Sequence, residues 1–419
     1  MSDKKRNVPV LRFNGFSDAW EQRKLLRNFD EVLDYRGKSP NKFGMNWGNK
    51  GYLVLSALNV KDGYIDKSIE AKYGCQELFD KWMGGNSLRK NDVVFTTEAP
   101  LGNVAQIPDN NGYILNQRVV AFKTSPNAMD NNFLAQFLRS PLFQNKLNAN
   151  ASGGTAKGIG MKEFAKLSLY LPKDINEQRK IGTFLKTMDN TIALHQRKLD
   201  ALKQMKKGFL QQLFPENGEK LPRVRFTGFE GEWEQRKLLG LSNKTYGGGT
   251  PRTTVEEYWQ GDIPWIQSSD LYTNKLFDVT PKKYISNLAL KESSTKLVPA
   301  NSIAIVTRVG VGKLAFMPFE YATSQDFLSF SNLNIDSIFA MYSLYNMLQK
   351  ELNSIQGTSI KGITKTELLE KKIVVPKNVR EQQKIGIIFK QLDDMIYLHQ
   401  NKLDKLNILK RTYLKNMLI

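Results

Sequence analysis

Two histidines, His195 and His399, and one cysteine, Cys75, are all that 419 residues offer for much of enzyme chemistry. Nucleophile–base pairs and thiolate zinc sites draw on those two residue types. One cysteine also excludes an internal disulfide. Gly310-Val-Gly312-Lys313 imitates a phosphate loop, but Leu314 stands where Ser or Thr is required, and no glycine lies at the Walker spacing. No dinucleotide-binding G-x-G-x-x-G is present. Glu70-Ala-Lys72, with Asp62 upstream, imitates the metal-binding carboxylates of a nuclease, yet it has no counterpart elsewhere in the chain. Without a Pro-Pro dipeptide there is also no Asn/Asp-Pro-Pro-aromatic loop of the kind amino-methyltransferases use against a flipped base. On these residues no reaction of the chain's own is expected.

What the chain has in quantity is positive charge: 61 Lys+Arg against 41 Asp+Glu, a net +20. Such an excess on a folded chain points to a polyanionic partner, with DNA or RNA first. The length predicts two or three domains, and 41% hydrophobic with 24% charged residues is ordinary for a globular protein. No apolar run approaches the ~18 residues of a membrane span. The basic start, Met1 to Arg6, is not followed by the apolar stretch of a signal peptide. A cytoplasmic protein that does not engage membranes is expected.

The elements that must carry this binding surface are written twice. Pro9-Val-Leu-Arg12-Phe13-Asn-Gly15-Phe16-Ser-Asp-Ala-Trp20-Glu-Gln-Arg-Lys-Leu-Leu26 returns at 222–239, with 12 of 18 positions identical at an offset of 213. Glu177-Gln-Arg-Lys-Ile-Gly182 returns as Glu381-Gln-Gln-Lys-Ile-Gly386 at an offset of 204, and the likeness runs on to Asp200 and Asp404. Between these frame segments the halves share only scattered residues: Asn91 with Asn301, Thr97 with Thr307, Gly102 with Gly312, Gln117 with Gln325, and Lys157-Gly-Ile with Lys361-Gly-Ile. A constant frame around two divergent modules suits a protein that reads two different things.

After Pro172 and Pro376, Asp174-x-x-Glu177 and Asn378-x-x-Glu381 have capping-box spacing and predict helix starts. A heptad seam follows, through Ile181, Leu185, Met188, Ile192, His195, Leu199 and Leu202, and through Ile385, Phe389, Leu392, Ile396, His399, Leu403 and Leu406. Lys206, Phe209 and Leu213, and Lys410, Tyr413 and Met417, continue it. Each histidine stands where Leu or Ile would pack better. If the two stretches pair antiparallel over their length, both midpoints fall on His195 and His399. The modules read as mixed α and β, with strands at Tyr52–Leu55, Asp92–Thr97, Arg118–Phe122, Ser302–Thr307 and Lys372–Val375. One helical stretch is expected in each, at Phe133–Leu147 and Ser337–Leu352.

This arrangement of duplicated frame, divergent modules and matching long helices resembles the specificity (S) subunits of Type I restriction–modification enzymes, over essentially the whole chain. The resemblance implies an α+β fold: two pseudo-twofold-related target-recognition domains joined by two long antiparallel coiled-coil helices. The expected divisions are 1–173 (with frame segment 9–26) and 215–377 (with frame segment 222–239) for the recognition domains, and 174–214 and 378–419 for the helices. It implies a non-catalytic subunit whose modules each read one half of a split, asymmetric double-stranded DNA sequence. It further implies two methyltransferase subunits docked on the helices and two restriction subunits held through them. S-adenosylmethionine, ATP and Mg2+ would then sit on those partners and no cofactor on this chain.

Within that picture Arg308 is the candidate for a base edge and Lys313 for a phosphate. Lys38, Ser39 and Thr250 lie in loops expected to face DNA, Gln117, Arg118 and Gln325 are candidate polar readers, and Lys157 and Lys361 precede the long helices as candidate phosphate contacts. Two other readings stay open: a duplicated nuclease or transferase with an unrecognised site, and a scaffold binding protein or sugar. Incubating the chain alone with DNA and S-adenosylmethionine or magnesium separates the first from a reader, and a footprint separates the second.

Overall fold

The computed structural model describes residues 7–69, 71–154, 156–216, 218–354 and 362–419. The chain divides into two compact units, one of 1–197 with 400–419 and one of 198–399. The long helices span Ile175–Gln212 and Val379–Met417, so each unit holds one module and part of both helices.

The first unit begins with a two-stranded ribbon, Glu21–Lys24 against Ser168–Leu171, which closes the module on itself. A four-stranded antiparallel sheet follows in the order Glu31–Asp34, Val119–Lys123, Val93–Thr96, Val104–Gln106. In a three-stranded sheet, Tyr52–Leu55 lies antiparallel to Tyr73–Gly74 and parallel to Tyr113–Leu115.

The second unit repeats this plan from different residues. Its ribbon is Glu234–Lys237 against Lys372–Val375. Its four-stranded sheet runs Ser242–Gly247, Phe327–Leu333, Ser302–Val306, Leu314–Met317. Its three-stranded sheet sets Ile263–Ile266 antiparallel to Lys283–Ile285 and parallel to Ala322–Thr323. Strand register is kept as well: Val119 lies opposite Thr96, and Phe327 opposite Val306. Two of the residue pairs shared by the modules are conformational. Asn91 and Asn301 have φ of 72° and 58°, and Gly102 and Gly312 have 91° and 92°, so each copy needs the left-handed region at the same two turns.

The frame motifs fasten each module to its long helix by the same contacts. Glu177 is buried, and both its oxygens accept from the Arg12 guanidinium at 2.6 and 2.8 Å; Glu381 does the same for Arg225 at 2.7 and 2.9 Å. These glutamates therefore do not close the expected capping boxes, because a bidentate buried guanidinium is the stronger partner for a carboxylate. Asp174 and Asn378 do cap, accepting from the backbone N–H of Asn176 and Arg380. The neighbouring Gln178 accepts from the Asp130 N–H and donates to the Pro172 carbonyl, and Gln382 likewise bridges Asp336 and Pro376.

Gly182 and Gly386 let these module helices pack on the long ones, since an added Cβ would lie 2.3 Å from the Phe133 nitrogen and 2.9 Å from the Phe339 nitrogen. Trp20 and Trp233 cover the same two phenylalanines edge-on.

Two further expectations need correction. Phe133–Leu147 is not one helix but two, Asn131–Leu138 and Pro141–Ala149. Pro141 lacks an N–H for the preceding helix, and the Ser140 hydroxyl accepts from Phe143 N–H to start a new one. The second module has no proline there and keeps one helix, Ser337–Ser354. The helical seam is also more than an apolar line. Ile181, Leu185, Leu414 and Met417 enter the first unit's core, and Leu202, Leu213, Ile385, Phe389 and Leu392 the second's. Met188, Leu199 and Leu403 are buried, while Ile192, His195, Ile396, His399 and Leu406 are half-buried. At the seam positions of Lys206 and Lys410 the ammonium groups pair with aspartates, Lys206 with Asp393 at 2.5 Å and Lys410 with Asp189. Burial raises the Asp189 carboxyl, but Arg139 and Lys410 outweigh it and hold the group below the usual carboxylate range.

Candidate nucleic-acid interface

In each unit the candidate residues meet at one end of the four-stranded sheet. In the first, strand Val93–Thr96 runs out into Thr97 and Glu98, and Gln117 and Arg118 lead into the neighbouring strand. Thr97 donates to the Arg118 carbonyl through both its backbone N–H (2.9 Å) and its hydroxyl (3.3 Å). The loop before the long helix is pinned there too, with Ile159 N–H donating to the Thr97 carbonyl and Gly158 bridging Glu98. A Cβ on Gly158 would stand 3.1 Å from Glu98 Cγ, so the glycine allows this approach. Lys157 is left exposed beside it.

The second unit makes the same bonds. Thr307 donates to the Asp326 carbonyl through its N–H (2.7 Å) and hydroxyl (3.0 Å), and Ile363 N–H donates to the Thr307 carbonyl (2.7 Å). Lys361 lies outside the described residues, and so do Thr155, before Lys157, and Glu70 of the nuclease-like trio. Asp62 of that trio pairs with Arg139 at 2.6 Å.

The glutamines tie a third loop to this end. Gln117 donates its side-chain amide to the Lys38 carbonyl at 2.6 Å, and Gln325 accepts from the Thr250 hydroxyl at 2.5 Å. Gly37-Lys38-Ser39-Pro40 and Gly248-Gly249-Thr250-Pro251 are therefore equivalent in space as well as in sequence. Ser39 opens the short 3-10 turn Pro40–Phe43. The Lys38 ammonium turns inward, donating to the Trp82 carbonyl at 2.6 Å and lying 4.3 Å from the Tyr35 ring centroid; burial lowers its pKa. Lys313 also points inward, to the Ser268 carbonyl at 3.1 Å. Arg308, Gln117 and Arg118 stay exposed, with Arg118 Nε 3.6 Å from Glu98 Oε2.

Glu98 and Asp326 were not among the residues singled out from the sequence. Aligning Thr97-Glu98 with Thr307-Arg308, and Gln117-Arg118 with Gln325-Asp326, exposes them as a reversal of charge at equivalent places. Among the described residues no cluster of three or more His, Cys, Asp or Glu could hold a metal ion. Nor, among them, is any helix long and apolar enough to cross a membrane.

The chain is 30% identical over 193 residues to the Type I restriction enzyme MjaIX specificity subunit of Methanocaldococcus jannaschii, covering 44% of this chain and 42% of that one. It is 36% identical over 183 residues to the Type I restriction enzyme EcoR124I/EcoR124II specificity subunit of Escherichia coli, covering 41% and 43%. Each match thus spans less than half the length of the relative. In fold, the chain is similar to the crystal structure of a Type I restriction–modification system S subunit from M. genitalium, with TM-score 0.64 at 15% identity and 98% and 99% of the chains covered. The Type I restriction modification DNA specificity domain profile matches twice, over residues 19–204 and 230–407, and the chain belongs to that family.

Proposed function

We propose that this chain is the DNA-recognition subunit of a Type I restriction–modification complex, each unit reading one half of a split, asymmetric target. The observation that carries this is the twice-built sheet end: one hydrogen-bond frame, Thr97–Arg118 and Thr307–Asp326, presenting different side chains in each copy. A frame held constant while its exposed groups change suits sequence readout, where phosphate contacts position and base contacts specify. The net charge of +20 supplies the non-specific attraction to the duplex.

The chain acts without a reaction of its own, in the cytoplasm. Two methyltransferase subunits carrying S-adenosylmethionine dock on the long helices, and two restriction subunits using ATP and Mg2+ join through them. The duplicated helix sequences offer two equivalent docking surfaces, hence two copies of one partner. The test is module exchange: residues 27–170 are replaced by the corresponding segment of another family member, and the methylated sequence is mapped in cells carrying the partner subunits. One half of the target should change and the other stay the same. A change in both halves overturns the modular reading.

A further inference from the structure

The charge reversal at the two sheet ends carries more than the presence of DNA contacts. Glu98 and Arg308 occupy one structural position, directly after the threonine of the frame. Arg118 and Asp326 occupy the other, directly after the glutamine. Each unit therefore presents one guanidinium and one carboxylate on adjacent strand ends, with the signs exchanged. In the first unit the two stand side by side, 3.6 Å apart, with 55% of the Arg118 and 44% of the Glu98 side chain exposed. In the second, Arg308 is exposed and the Asp326 carboxylate accepts from the Ser324 hydroxyl at 3.2 Å.

A donor fork beside an acceptor complements the major-groove edge of a G·C pair. Guanine offers the N7 and O6 acceptors that an arginine bridges, and cytosine offers the N4 donor that a carboxylate accepts. An A·T pair instead sets its N6 donor between two acceptors, N7 and O4, so it has no two adjacent acceptors for the fork to bridge. Neighbouring strands lie about 4.8 Å apart, so exchanging the charges moves the guanidinium by about one strand spacing to the other side of the same frame.

We infer that Glu98 with Arg118, and Arg308 with Asp326, each read one G·C base pair in the major groove, in opposite orientations relative to their own modules. The inference rests on the DNA-recognition reading given above.

The test uses the full chain in complex with its modification subunit. The methylated motif is mapped in cells for the wild type and for Arg118→Gln and Arg308→Gln, and binding is then measured on duplexes with single base-pair changes. The wild-type motif should hold a G·C position in each half. Arg118→Gln should relax that position in one half alone, and Arg308→Gln in the other half alone, with discrimination falling roughly 5- to 150-fold. Glu98→Gln and Asp326→Asn should relax the same positions as their arginine partners. If a glutamine variant fails to assemble on size exclusion, Arg118→Lys and Arg308→Lys keep the charge without the bidentate fork and should relax the same positions partially. Unchanged discrimination in variants that still assemble, relaxation at an A·T position, or relaxation in both halves overturns the inference while leaving DNA recognition standing. A wild-type complex that shows no sequence preference removes the DNA reading, and this inference with it.

Discussion

The buried carboxylate of Glu177 accepts from the Nε and Nη2 of Arg12 across 165 residues of sequence, and Glu381 accepts from Arg225 in the same way. Each pair joins the start of a repeat to the first turn of a long helix, so each module is held closed at its own ends. Removing either arginine strands a charge that is almost wholly shielded from water.

Arg12→Ala and Arg225→Ala should each cost about 3 kcal/mol of unfolding free energy, the range for breaking a buried ion pair from one side. Denaturant unfolding monitored at the tryptophans checks this. A loss below about 1 kcal/mol would show that Glu177 or Glu381 finds another partner.

Gly182→Ala should destabilise although it replaces a helical glycine with the best helix former. Propensity alone favours the alanine by about 1 kcal/mol. The added methyl would meet Phe133 backbone nitrogen at 2.3 Å, a far larger penalty because backbone cannot swing aside. Gly386→Ala, with its nearest atom at 2.9 Å, should cost less. Paired thermal melts of the two variants test both the sign and the order.

The Asp189–Lys410 pair should make acid stability depend on this seam. The folded-state pKa of Asp189 is depressed, so its contribution is present above the unfolded value of about 3.9 and is lost as pH falls through the folded value. Asp189→Asn should flatten the unfolding free energy over that acid window relative to wild type. Combined with Lys410→Met, a double-mutant cycle should show coupling of about 1–3 kcal/mol. Parallel pH profiles for wild type and Asp189→Asn would refute the assignment.

Lys157 is exposed. Lys157→Ala should weaken DNA binding about equally on specific and unrelated duplexes and lower the salt slope by about one. Fluorescence anisotropy at several salt concentrations reads both. A loss confined to the specific duplex would make Lys157 a base contact instead.

The residue sequence alone determined the duplication, the two long helices and five of the strands, because each rests on local information. Repeats are visible as identity, heptads as spacing, and strands such as Tyr52–Leu55 and Lys372–Val375 as short apolar runs bounded by turns. The helix break at Ser140-Pro141 was equally local, written in a serine before a proline. Tertiary structure decided what the repeated letters are for. Glu177 has capping-box spacing, but its partner, Arg12, lies 165 residues away, and only the folded chain brings that stronger donor to it. Lys206 and Lys410 sit in an apolar seam by spacing, and only packing supplies the aspartates that make them tolerable there. Lys38 and Lys313 are drawn by basic composition toward solvent, yet carbonyls of distant loops turn both inward. The reversal between Glu98–Arg118 and Arg308–Asp326 joins residues 20 and 18 positions apart in sequence. It becomes one surface only because antiparallel pairing lays the two strand ends side by side.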